Sequence, residues 1–214
     1  MSARTIEKFY AATSGGQIHG RRIAGQGAGA TPPIVLLHRT PVCSAGFEPV
    51  MRFLARAGRS AIALDTPGFG ESFLPDGAPA ASDYGRWLLE ALDALGVGRL
   101  HLAAHHSGTH FAAEMAALAP ERLLSLTLSG VMIAAADERA SSRADIGHAP
   151  AIDAEGSYIA DTFKLMKSLF LDPAPELVHA ETLGALVSAR GRDLAFDAIF
   201  DQDFTALLGR IMAD

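Results

Sequence analysis

Four short apolar runs, Ile34-Val35-Leu36-Leu37, Ala61-Ile62-Ala63-Leu64, Leu100–Ala104 and Leu124–Leu128, recur along this chain, and a segment of helical character separates each from the next. A short run without polar alternation is what a strand covered on both faces requires. Between the first two runs, Phe47, Val50, Met51 and Leu54 recur at helical spacing and Gly58 supplies a stop. Between the second and third, Ser82-Asp83 offers an N-cap, Trp87, Leu88, Ala91, Leu92 and Leu95 share one face, and Gly96 ends the helix. Between the third and fourth, Thr109–Leu118 runs up to Pro120. Strands alternating with helices predict an α/β fold: a mostly parallel sheet with right-handed crossovers and helices on both faces.

The flanks are of a different kind. Ile6–Ala11 and Gln17–Ile23 can pair across Thr13-Ser14-Gly15-Gly16 as an antiparallel N-terminal ribbon, and the Gly- and Pro-rich stretch Ala24–Pro33 reads as a connector. After Ser129 the pattern changes. Ala134–Pro150 has no period and reads as a loop, whereas Tyr158–Phe170, Pro175–Ala189 and Leu194–Met212 read as helices. Ile159, Phe163, Met166 and Phe170 make one apolar stripe, and Leu177, Leu183, Leu186 and Val187 make a second. Residues 1–133 are therefore expected to form the core and residues 134–214 a helical lid.

Composition narrows the partners. The net charge of −6 argues against nucleic acid or an anionic membrane, and favours a small organic substrate. A single cysteine, Cys43, excludes an intrachain disulfide and a cysteine-based zinc cluster. Neither a signal-peptide pattern nor an apolar run of membrane-spanning length is present, so the chain is read as cytoplasmic.

The chemistry-bearing segment is Leu100-His101-Leu102-Ala103-Ala104-His105-His106-Ser107-Gly108-Thr109, a strand, a sharp turn lined by small residues, and a helix. With Leu36-Leu37-His38-Arg39-Thr40-Pro41, Asp65-Thr66-Pro67-Gly68-Phe69-Gly70-Glu71-Ser72 and Pro120-Glu121-Arg122, this order of motifs resembles the α/β-hydrolase superfamily. The resemblance covers roughly residues 17 to 133. In that superfamily the turn is a nucleophile elbow, with small residues two before and two after its centre. Ala104 and Gly108 fit a turn centred on His106, whereas a centre at Ser107 would put His105 and Thr109 at those places. His106 is thus read as the central residue, a histidine where serine is usual.

The resemblance implies a small-molecule hydrolase acting at an ester-like or other carbonyl bond. His106 would be general base or nitrogen nucleophile, and the N–H groups of Ser107 and Thr40 would stabilise an oxyanion. Ser107 is the catalytic alternative if the register shifts by one. Arg39 replaces the usual glycine and brings a positive charge to the substrate side, with a solvated outward position as the alternative; His38 is read as a hydrogen-bonding structural histidine beside it. His101, His105, His106 and His110 are spread along an extended path, so no metal is implied, and no cofactor. Asp65 and Glu71 are read as structural. The late strands that carry the superfamily's acid and histidine are not evident, and His148 and His179 fall in the lid. The fold is therefore read as incomplete at its C-terminal side, with an apolar edge at Leu124–Leu128 that lid helices or a second copy, in a homodimer, would cover. Other readings stay open: a non-catalytic binding or regulatory protein on the same fold, or a cofactor-independent lyase or oxygenase-like enzyme.

Overall fold

The computed structural model describes residues 5–26, 31–146 and 148–211. Its six strands are β1 (Glu7–Ala12), β2 (Gln17–Ile23), β3 (Ile34–Leu37), β4 (Ala61–Leu64), β5 (Leu100–His105) and β6 (Leu123–Ser129). They form one sheet in the order β1-β2-β4-β3-β5-β6. β1 and β2 are an antiparallel ribbon, β2 joins β4 antiparallel, and β4, β3, β5 and β6 run parallel. The chain turns between β1 and β2 through Thr13, whose N–H meets the Gly16 carbonyl at 2.9 Å. Part of the expected connector, residues 27–30, lies outside the described residues.

The continuous apolar runs are explained by the two faces they serve. Val35, Leu37, Ile62, Leu64, Leu102 and Ala104 face the main core. That core is filled by Tyr84 and Leu88 of α2 (Ala81–Ala94) and by Phe111 and Met115 of α3 (Gly108–Leu118). Leu36, Ala61 and Ala63 face the other way, onto Met51 and Ala55 of α1 (Glu48–Arg56). Fully burying a side chain such as Leu88 or Leu102 contributes about 1.5–3 kcal/mol. β6 is an edge strand: it pairs with β5 alone, its Leu126 and Leu128 turn to the main core, and Ser125, Thr127 and Ser129 are exposed.

Five helices follow β6: α4 (Ala136–Ile146), α5 (Ser157–Ser168), α6 (Pro175–Val187), α7 (Ala189–Asp201) and α8 (Phe204–Ile211). Here the sequence reading needs correction in four places. The stretch expected to be an aperiodic loop contains α4, whose start is closed by Glu138 Oε2 accepting the Ala135 N–H at 2.8 Å. Arg143 ties it to Asp201 of α7 at 2.8 Å, so polar contacts rather than an apolar stripe hold it in place. The helix expected over 194–212 is two helices, because Gln202 is extended (ψ 131°) and turns inward to His110; Met212 lies outside the described residues.

The second apolar stripe faces solvent. Leu177, Leu183 and Val187 are exposed, while the smaller Val178, Thr182 and Ala185 are buried and let α6 approach Met166 of α5 closely. On α5 itself Met166 is buried, but Ile159 and Phe163 are exposed. Finally, α2 begins at Ala81 with Ala80 as its N-cap, rather than being capped by Ser82-Asp83: Asp83 sits in the first turn and its carboxylate accepts the Ala80 N–H at 2.9 Å. α7 and α8 lie against the core, since Ala195, Ala198 and Ile199 join the main cluster and Phe204 and Leu207 pack with Ala113, Leu128 and Val131.

Candidate active site

The sharp turn between β5 and α3 is centred on His106, which adopts φ 51°. Such a left-handed conformation costs a residue with a Cβ on the order of 1–3 kcal/mol, so it persists only where surrounding bonds enforce it. They do so here. The His106 N–H donates to the Ser129 carbonyl at 2.8 Å, and the His106 carbonyl accepts the Thr109 N–H at 2.9 Å. Gly108 must be small because a Cβ would come within 2.6 Å of the His38 carbonyl oxygen and 2.9 Å of that of Leu37. The spacing rule that selected His106 over Ser107 is thus a packing constraint imposed by the end of β3.

His106 lines a cleft of about 580 Å³, together with Arg39, Thr40, Pro41 and His105 from the sheet side. The opposite wall is Leu165, Met166, Leu169 and Phe170 from α5 and just beyond it, with Arg192 and Phe196 from α7. The Nδ1 atom of His106 is buried without a hydrogen-bond partner among the described residues, which leaves Nε2 as the nitrogen open to the cleft. Burial, then the neighbouring His105 and Arg39, push the imidazole below the usual histidine range. At neutral pH the ring is therefore uncharged and carries a free lone pair.

Ser107 is fully buried and does not line the cleft. Its Oγ accepts the Thr40 N–H at 2.6 Å, so that N–H is already engaged within the protein. Thr40 itself reaches the cleft wall. His38 is buried, with both ring nitrogens committed: Nδ1–H donates to the Arg39 carbonyl at 2.9 Å and Nε2 accepts the Thr66 N–H at 3.0 Å. A backbone N–H can only donate, so the tautomer is fixed, and burial lowers the ring's pKa further. Arg39 does not point outward. Its Nη2 pairs with Glu181 of α6 and its guanidinium lies 5.6 Å from the centre of the Phe170 ring.

The other histidines go to different surroundings. His101 Nδ1 meets Ser125 Oγ at 2.8 Å on the open face of the sheet. His110 is buried against Phe204, its Nδ1–H donating to Gln202 Oε1 at 2.7 Å, while Gln202 Nε2 donates to Glu114 at 2.6 Å. Burial holds the His110 pKa down to about 4. His148 is exposed and 3.3 Å from Asp193, and His179 is exposed on α6.

Asp65, at the end of β4, is a structural hub. It accepts from His19 at 2.7 Å, from the Ser44 N–H at 2.7 Å and from the Glu71 N–H at 3.2 Å. Burial alone would raise its pKa, but the bonds from His19 and Ser44 prevail and bring it down to about 2. Gly70 (φ 56°) is obligatory in that loop, since a Cβ would sit 2.0 Å from the Asp65 carboxylate. Glu71 leaves this hub for the surface, where Lys8 holds it at 2.8 Å.

Sequence reasoning missed Glu181, Arg192, Phe196 and the His110-Gln202-Glu114 chain. The contacts that bring them in span long intervals of sequence, and no local motif marks them. Phe170, a member of an apolar stripe by its spacing, lines the cleft.

Residues 32–155 match the family model described as alpha/beta hydrolase fold. The chain is 32% identical over 130 residues to a putative non-heme haloperoxidase of Mycobacterium phage D29, covering 60% of this chain and 45% of that protein. It is 39% identical over 100 residues to a haloalkane dehalogenase of Mesorhizobium japonicum, covering 46% of this chain and 32% of that protein. The chain thus spans less than half the length of these curated relatives. The crystal structure of wild-type Cfl2 from Burkholderia cenocepacia matches with a TM-score of 0.75 at 21% identity, covering 97% of this chain and 75% of that one. The family model spans more than half of the chain and the fold agrees with it, so this chain belongs to the alpha/beta hydrolase fold family.

Proposed function

We propose that this chain binds a small organic molecule in the cleft between the turn at His106 and a lid formed by α5–α7, and hydrolyses an ester-like or other carbonyl bond there. The observation that carries this reading is the uncharged imidazole of His106, held at φ 51° with Nε2 open to the cleft. In the proposed step Nε2 takes a proton from a water molecule as that water's oxygen adds to the carbonyl carbon. The proton then passes from Nε2 to the leaving oxygen as its bond to carbon breaks. General-base assistance of this kind contributes typically ~10²–10⁴-fold. The expected rates are therefore modest beside those of a serine nucleophile with its full set of partners.

For the oxyanion, the Ser107 backbone N–H at the start of α3 is the donor left to consider. The Thr40 N–H is directed at Ser107 Oγ. Residues 38–41 and 105–108 then serve the reaction jointly: His38 fixes the turn, Arg39 and Thr40 shape the cleft wall, and His106 supplies the base.

The test is hydrolysis of activated aryl esters by the wild type, His106→Asn and Ser107→Ala. Asn tolerates left-handed φ, so the first variant keeps the turn and removes the base. Turnover should fall at least tenfold in His106→Asn and persist in Ser107→Ala. Equal turnover by all three would remove the catalytic reading. A binding protein on the same fold is the second reading, and one observation favours it: His106 Nδ1 has no carboxylate or carbonyl to orient it among the described residues.

A further inference from the structure

We infer that the cleft is built for a molecule that joins an apolar body to a carboxylate, with Arg39 as the group that recognises the anion. The assignment rests on the cleft being the substrate site, as proposed above, and names the class of substrate.

Three observations support it. The first is charge. Arg39 and Arg192 are the charged side chains that line the cleft, and their carboxylate partners, Glu181 and Asp193, do not line it. The charged groups facing the cleft are thus cationic in a chain whose net charge is −6, as in clefts that concentrate anionic ligands. The second is the state of the Arg39 guanidinium. Glu181 engages Nη2 and the Phe170 ring lies beneath the plane, so the fork is fixed in orientation before any ligand arrives. Nε and Nη1 have no partner among the described residues and neither is a buried, unpaired atom, so both keep donors to offer in a side chain that lines the cleft. A guanidinium clamped on one edge and open on the other is preorganised for bidentate contact with a carboxylate.

The third observation is what surrounds that fork. Leu165, Met166, Leu169, Phe170 and Phe196 make the remainder of the wall largely apolar. A volume of about 580 Å³ suits one small organic molecule, and such pockets pair a broad apolar lining with a few placed polar groups. Glu181 does not cancel the attraction. It lies on the far edge of the guanidinium, and Coulomb energy falls with distance, so an anion touching the near edge feels Arg39 more strongly than it feels Glu181.

A purely architectural Arg39, serving only to tie the β3 turn to α6, makes a different forecast, and calorimetric titration separates the two. The probes are 4-phenylbutyrate and its uncharged amide. Wild-type protein should bind the acid about 10- to 100-fold more tightly than the amide, the range expected for a hydrogen-bonded charge. Arg39→Gln should bring the two affinities within about twofold of each other, and Arg39→Lys, which keeps a cation for Glu181 but loses the fork, should retain only part of the preference. Glu181→Gln is the decisive variant. It should preserve or strengthen acid binding by removing the competing anion, whereas an architectural tie would make it fail as Arg39→Gln does. Equal affinity of the wild type for acid and amide, or failure of both to bind, overturns the inference. Binding is read without turnover, and His106→Asn should keep the preference for the acid. Loss of ester hydrolysis as a function therefore leaves this result distinguishable.

Discussion

The Ser107 hydroxyl accepts the Thr40 backbone N–H at 2.6 Å, joining the first residue after the His106 turn to the loop that follows β3. Ser107 is wholly buried and Thr40 nearly so, which makes this a buried hydrogen bond. Ser107→Ala should therefore cost about 1–3 kcal/mol, the penalty of leaving a buried donor without an acceptor. Urea unfolding at pH 7.5 measures it. A change below about 0.5 kcal/mol would mean that Thr40 finds another acceptor.

Gly108 is the second fixed point of the turn. Gly108→Ala would bring a methyl group within 2.6 Å of the His38 carbonyl oxygen and 2.9 Å of that of Leu37, and both are backbone atoms that cannot rotate away. Overpacking of this kind costs typically ~1–3 kcal/mol. Thermal unfolding should show a clear drop for Gly108→Ala and little change for Gly46→Ala, where a Cβ would meet open space.

Buried neutral histidines give the protein a defined acid sensitivity. His110 has a pKa of about 4 when folded and about 6.5 when unfolded, so the unfolded chain binds the extra proton as pH falls below 6.5. Its contribution is fully present above that value and is lost between pH 6.5 and 4, amounting to roughly 3 kcal/mol in the limit. His38 and His106, both also lowered, act in the same direction. Asp65 adds a separate, later loss: its folded pKa of about 2 makes that contribution disappear between about pH 4 and 2. Unfolding free energies measured from pH 7.5 to 4.5 should decline, and His110→Gln should flatten the decline. A pH-independent stability across that range would contradict the burial described for His110.

The elements that were legible in the sequence share a local cause. β3 and β4 are short apolar runs because each is covered on both faces, β5 buries Leu100, Leu102 and Ala104 on one face, and these patterns are visible without knowing the partners. His106 was legible because its neighbours Ala104 and Gly108 must be small for a reason that lies within a few residues and one adjacent strand end. The C-terminal helices were not legible in the same way. α4 is fixed by Arg143 reaching Asp201, and the break between α7 and α8 is fixed by Gln202 reaching His110, contacts 58 and 92 residues apart in sequence. The Leu177–Val187 pattern misled because α6 buries its small residues rather than its large ones. Arg39 illustrates the limit for the site: its identity was conspicuous, but its orientation depends on Glu181, 142 residues away.

The pH dependence of kcat/KM for an activated ester tests the central claim most directly, because that claim assigns the chemistry to one imidazole in its neutral form. Since burial, His105 and Arg39 lower the His106 pKa, the rate should rise with pH along a limb whose midpoint lies below 6.5 and should be level at neutral pH. His106→Asn should abolish that limb. A midpoint above 7, or the same limb in the variant, would contradict the assignment of His106 as the base.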